Sequence, residues 1–187
     1  KFAQAIFIMF VVCVFQTVLA AIRVRVILKT YDVILRIRIC VEHCYVGNFF
    51  SQTFVSIIGG DALRIWRFSQ SGVPVSTSAG AIVLDRVAGF MALILLFAFT
   101  VPEMMERTGE PLMRTGLLSL LAVSLVGVVG FYFLPSIVTN FTPIRILRTR
   151  VGEVVFELSV ICQTYCRNFQ VQIKVFFLSI ASHGSNI

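Results

Sequence analysis

The chain has 187 residues, of which 58% are hydrophobic and only 13% charged, with a mean hydropathy of +0.93. A soluble domain of this length needs far more polar surface, so the composition excludes one and implies an all-α polytopic membrane protein with re-entrant or interfacial helices. The net charge of +7 then belongs to loops that face the cytoplasm and anionic lipid. No zinc-ribbon spacing or RNA-binding aromatic motif supports nucleic acid as a partner.

Residues 2–22 form one apolar run, broken only by Gln4, Gln16 and Thr17. At 1.5 Å per residue the run spans about 31 Å, enough for a hydrocarbon core. It is too long for a signal-peptide core and lacks a small-residue cleavage signature. Arg23, Arg25 and Lys29 follow directly and read as the cytoplasmic flank. Over 31–45, apolar positions recur at helical spacing but are interrupted by Arg36, Arg38, Glu42 and His43, which suits an interfacial segment. Residues 46–60 are apolar but too short to cross and return as full helices, and their polar members are uncharged. They read as a re-entrant segment. Charge arithmetic agrees. Arg64 and Arg67 want the same side as Arg23, so the crossings between them are even in number.

A second span is expected over 79–101, with Asp85 and Arg86 in its first half. A loop at 102–111 carries three glutamates and one arginine and reads as the outer side. A third span covers 112–134, where Ser124, Gly127 and Gly130 offer close helix contact. Arg145, Arg148 and Arg150 return the chain to the cytoplasm, and a helix over 152–167 leads to a last span that stops early. The chain begins inside one span and ends inside another. It reads as a single transmembrane domain, 1–187, truncated at both ends.

Four of the five cysteines form two i,i+4 pairs, Cys40/Cys44 and Cys162/Cys166. Paired side chains on one helix face diverge too little in position and direction for a good disulfide. Cys40, His43 and Cys44 lack a second ligand pair at zinc spacing, so apolar packing is the reading and no metal or cofactor is implied.

The candidate site gathers around Gly59, Gly60 and Asp61. The glycines permit a sharp turn after the re-entrant segment, and Asp61 then caps a helix through Arg64 and Arg67. Those two arginines lie one turn apart, and a guanidinium grips phosphate with two prongs. The plain alternative is a capped turn with interfacial arginines. Charges within a span are costly and usually face the protein interior or a wet cavity. Asp85 and Arg86 are adjacent, so they point about 100° apart and each needs its own partner. The expected pairs are Asp85 with Arg64 and Arg86 with Asp61. The alternative is snorkelling, since Arg86 lies only about 10 Å in from Ala79.

The stretch 47–94, GNFFSQTFVSIIGGDALRIWRFSQSGVPVSTSAGAIVLDRVAGFMALI, resembles the core signature of the lysylphosphatidylglycerol synthase transmembrane-region family of flippase-like membrane proteins. The resemblance rests on Gly47 and Asn48, on Gly59, Gly60, Asp61 and Arg64, on Asp85, Arg86 and Gly89, and on Leu178, Ser179 and His183. It departs at Val55 and Ser56, where the family often has a proline. The resemblance implies movement or binding of an anionic, aminoacylated or polyprenyl-phosphate-linked lipid in the plasma membrane. Its substrate-binding residues would be Asn48, Gly59, Gly60, Asp61, Arg64, Arg67, Asp85 and Arg86. It also implies an attached catalytic domain or a homo-oligomer as partner. No aminoacyl-transferase, kinase or glycosyltransferase signature is visible, so no catalytic residue is assigned. Two rivals stay open. One is a membrane-embedded transferase with Asp61 or Asp85 as general base. The other is a membrane anchor for a catalytic domain.

Overall fold

Long apolar runs without helix breakers dictate the frame. In a bilayer the backbone must satisfy its own hydrogen bonds, and a helix does so within one segment. The structure, a computed structural model, describes residues 2–53, 57–107, 111–141 and 150–184. All the regular structure in these residues is helical. The helices are α1 (Phe2–Lys29), α2 (Ile37–Thr53), α3 (Ile57–Gln70), α4 (Val75–Arg107), α5 (Pro111–Phe141), α6 (Arg150–Arg167) and α7 (Phe169–Gly184). Among the described residues, three stretches are long and apolar enough to cross a membrane: Phe2–Lys29, Val75–Glu106 and Leu112–Asn140. The chain is therefore an all-α polytopic membrane protein, as its composition requires.

Two helices end in the same way. At the end of α1, the Val33 amide donates to Leu28 O and the Asp32 amide to Lys29 O, with Asp32 at φ 58°. At the end of α3, the Val73 amide donates to Phe68 O and the Gly72 amide to Ser69 O, with Gly72 at φ 85°. Both are Schellman caps, which consume the carbonyls left free by the last turn. Val73 and Phe68 are buried together in the core, and Val33 packs against the cluster that holds Leu28. The caps thus fix where the chain turns as well as where the helices stop.

Helices α2 and α3 form a hairpin between α1 and α4. Their 17 and 14 residues reach about 25 and 21 Å, short of a full crossing. At the mouth of the hairpin, His43 Nε2 lies 2.8 Å from Ser71 Oγ, and Arg67 Nη1 donates to Glu42 Oε1 at 3.1 Å. The chain thus leaves on the side where it entered, so Ile37–Thr53 and Ile57–Gln70 make one hairpin too short to cross. One expectation needs correction. Gly59 and Gly60 do not form a turn capped by Asp61, because α3 already begins at Ile57 and contains all three. Gly60 serves closeness instead. A Cβ there would run into Ser51 Oγ and come within 2.5 Å of Gly47 O on α2. Gly59 faces open space. Val55 and Ser56 lie outside the described residues.

Helix α4 is the hub and packs on α1, α3, α5, α6 and α7. The core around it includes Val24, Ile27, Leu28, Cys40, Cys44, Phe68, Leu84 and Val175. Gly80 admits Ile161 of α6, whose Cγ2 would lie 2.6 Å from an added Cβ. Tyr31 binds the same strut by donating to Ile161 O at 2.6 Å. α4 continues to Arg107 with Pro102 inside it, so part of the expected 102–111 loop is helix. A proline this near a helix end removes one hydrogen bond without breaking the rod. Residues 108–110, and the basic stretch with Arg145 and Arg148, lie outside the described residues. Nor do Gly127 and Gly130 make close contacts. Nothing lies within 4 Å of a Cβ at either, and Ser124 and Gly127 instead line a groove of about 390 Å³ against α4.

Candidate functional site

Charge buried at membrane depth must be answered by charge or hydrogen bonds, and the structure supplies them in two linked nodes. The first joins α1, α4 and α7. Arg23 Nε donates to Asp85 Oδ1 at 2.7 Å, and Arg23 Nη2 reaches Asp85 Oδ2 at 3.4 Å. Arg23 Nη1 donates to Ser179 Oγ at 3.1 Å, and that hydroxyl donates onward to Val175 O. Arg23 is 7% exposed and Asp85 5%, so the pair is fully inside.

The second node joins the hairpin to α4. Arg86 Nη2 and Nε donate to the two oxygens of Asp61 at 2.9 and 3.1 Å. Asp61 Oδ1 also lies 3.4 Å from Arg64 Nη1. Arg64 Nη2 donates to Asn48 Oδ1, and Asn48 Nδ2 donates to Thr17 Oγ1 at 3.2 Å. Polar contacts therefore run without a gap from α1 through α2 and α3 to α4. Arg64 is 3% exposed and lies across the bare face of Gly47, where a Cβ would meet its Cδ at 2.8 Å. Gly47 and Gly60 are the two small residues that let α2 and α3 close around these groups.

Of the expected site residues, the structure brings together Asn48, Gly60, Asp61, Arg64 and Arg86, and Asp85 joins them as the chain neighbour of Arg86. The Arg86–Asp61 pair is as expected. The pairing of Asp85 with Arg64 is not. Asp85 takes Arg23, because the 100° step from Arg86 turns it toward α1 and α7. Arg67 is not in the cluster either. It pairs with Glu42, which lies six residues, or about 9 Å of helix, from Asn48. Gly59 stands apart as well.

Sequence reasoning missed Arg23, Thr17 and Ser179. Arg23 was hidden in a basic flank with Arg25 and Lys29, where every cation reads as topological. The sequence held no competing signal, because Asp85 with Arg64 and Asp61 with Arg86 already pair both carboxylates of the expected site.

Three arginines and two aspartates leave this network one positive charge in excess. Most of it is sealed, but the Arg86 side chain is 44% exposed and carries the positive character outward. Such an arrangement can hold an anion by exchanging one guanidinium contact for another. Neither aspartate is positioned as a free base, because both spend their oxygens on guanidinium N–H groups. At the hairpin mouth, burial, assisted by the positive charge of Arg67, holds His43 below the ordinary imidazole range, so its ring is neutral beside Ser71.

Residues 2–187 match the family described as the lysylphosphatidylglycerol synthase TM region. The chain belongs to that family. No curated protein and no solved structure matches it. Membership in the lysylphosphatidylglycerol synthase TM region, together with three apolar spans, makes this a multi-pass membrane protein related to lipid handling.

Proposed function

We propose that the chain binds an anionic membrane lipid through its phosphate at the Arg64–Asp61–Arg86 node and moves its headgroup between leaflets. The observation that carries this reading is the charge imbalance of two adjacent polar nodes inside an apolar bundle. Three guanidiniums face two carboxylates, and the outermost cation, Arg86, remains half accessible. A phosphate arriving from the lipid takes up the spare N–H capacity of Arg86, while its acyl tails stay among the exposed apolar side chains of α4. The re-entrant hairpin gives the network its depth. It carries Asn48 and Arg64 inward without a full crossing, each six residues or about 9 Å of helix from Glu42 and Gln70 respectively. In this reading the hairpin mouth lies on the cytoplasmic side of the plasma membrane, and the basic flanks support that side.

The test is transport of labelled anionic lipid in vesicles that contain the purified protein and no soluble co-substrate. Arg86→Ala is expected to lower transport at least tenfold, and Arg86→Lys to recover little, because an ammonium is a single point and lacks the guanidinium fork. Full transport by Arg86→Ala would reject the site. Formation of a modified lipid only when a donor is added would favour a transferase.

A further inference from the structure

The hairpin mouth holds a buried imidazole. His43 on α2 is 8% exposed and packs edge-to-face on Phe68 of α3, with ring centroids 5.1 Å apart. Its Nε2 lies 2.8 Å from Ser71 Oγ, and that hydroxyl donates to Arg67 O at 3.2 Å. The hydroxyl proton is thus engaged, so Nε2 carries the proton of its bond to Ser71 and donates it. Nδ1 is then the bare nitrogen. It is buried and meets no hydrogen-bond partner among the described residues. Beside the ring, a cleft of about 190 Å³ is lined by Glu42 and His43 of α2 and by Trp66, Arg67, Gln70 and Ser71 at the end of α3.

A proton arriving at Nδ1 creates a cation that burial penalises and no acceptor meets. Two charged groups act on the ring. Arg67 on α3 opposes the cation, and Glu42 on α2 favours it. Cys40 and Cys44 on the same helix are neutral thiols, because burial raises both, Cys44 to about 12. From α1, which also packs on α2, Arg25 donates to Leu35 O and acts on Cys40. A protonated ring finds relief only by leaving Ser71 and Phe68 for the cleft, where water and the 60% exposed Glu42 side chain receive it. Deeper in the hairpin the limbs stay joined, since Gly60 lies against Ser51 and Gly47 O, and Arg64 donates to Asn48.

We infer that His43 is a proton-operated latch: the neutral ring ties α2 to α3 through Ser71, and the protonated ring swings into the cleft and lets the hairpin mouth open. The latch is closed above the ordinary imidazole value of about pH 6.5 and releases as the pH falls through the lower value of the folded state. Opening admits water toward Arg64, which is 3% exposed in the closed form. No lipid takes part in this step, so it stands whether or not the anionic-lipid reading holds.

The chain carries its own reporter, because Trp66 is its single tryptophan and lines the cleft. The experiment follows Trp66 emission, and its quenching by acrylamide, for the full chain in phosphatidylcholine nanodiscs from about pH 8 to about pH 5. Acrylamide quenching is expected to rise in one reversible transition centred below about pH 6.5. His43→Gln keeps an amide donor for Ser71 but takes up no proton in this range, and is expected to lose the transition. Two further variants fix the sign without touching the ring. Arg67→Gln removes the opposing cation and should move the midpoint up, whereas Glu42→Gln removes the favouring anion and should move it down. Their ion pair is partly exposed and holds the mouth weakly, so the charge felt by the ring decides the shift. Acrylamide quenching that stays flat overturns the inference, even where emission titrates, because an imidazolium can quench a nearby indole without any opening. So does a transition that survives in His43→Gln, and so do midpoints that move the same way in Arg67→Gln and Glu42→Gln.

Discussion

Helices α4 and α5 look alike on paper. Both exceed 30 residues, both carry a proline, and both contain a stretch apolar enough to span a bilayer. Their surroundings differ sharply. α4 packs on five other helices and buries Ala81, Leu84, Asp85 and Ala88. α5 packs on α4 and α6, and none of the residues in its most apolar window is buried. In water the more apolar helix would be the inner one. In a bilayer the apolar helix has no reason to hide from its solvent, and the helix with charges must find partners. Within this chain Asp85 marks the inside more reliably than hydropathy does.

The largest effect that could break this contrast lies at Asp85. Asp85→Ala leaves Arg23 buried without its carboxylate, which is expected to cost about 3–5 kcal/mol. Thermal unfolding in detergent should show a steep drop in melting temperature, and Arg23→Leu/Asp85→Leu should recover much of it. A single substitution as mild as the double one would mean that the pair is solvated and that α4 is not the inner helix.

Smaller effects are expected at the glycines. Gly80→Ala pushes a methyl into Ile161, and overpacking of this kind costs about 1–3 kcal/mol. Gly127→Ala meets nothing within 4 Å and gains helix propensity, up to about 1 kcal/mol. Melting temperatures of the two variants should therefore move in opposite directions. Movement in the same direction would place a packing partner on α5.

The smallest effect lies off both spans and sets a baseline for them. The folded chain holds His43 below its ordinary value, mainly by burial, so the unfolded chain binds more protons just below pH 6.5. Its contribution is complete above about pH 6.5 and is lost as the pH falls through the folded value. A melting temperature that declines mildly over that range, and more shallowly in His43→Phe, would fit. A decline of equal size in the variant would assign it to other groups.

Much of the fold was legible because it follows from length and charge. The long apolar helices and the two short ones between them come from how far an apolar run reaches and where cations stop it. The site was legible only in part. Asp61 and Arg86 could be matched because each is a charge in an apolar setting that calls for a partner of opposite sign. Arg23 could not, since a cation in a basic flank has an adequate explanation without a partner. The role of Gly60 was misread for a different reason. Sequence shows that a residue is small, but not whether smallness serves a bend or an approach. The contact with Ser51 and Gly47 decides for the approach.

The order of two adjacent letters carries information here. Asp85 faces an arginine on α1, and Arg86 faces an aspartate on α3. Exchange them, and composition, hydropathy, net charge and helix propensity stay as they were. Yet an arginine would then meet Arg23 and an aspartate would meet Asp61. The dipeptide works as a keyed connector whose polarity sets the angle of α4 about its own axis. Turning that helix by one residue's worth of rotation would bring Arg86 against Arg23 in one sense or Asp85 against Asp61 in the other, and in either case it would break both native pairs. The two pairs together lock the hub against rolling.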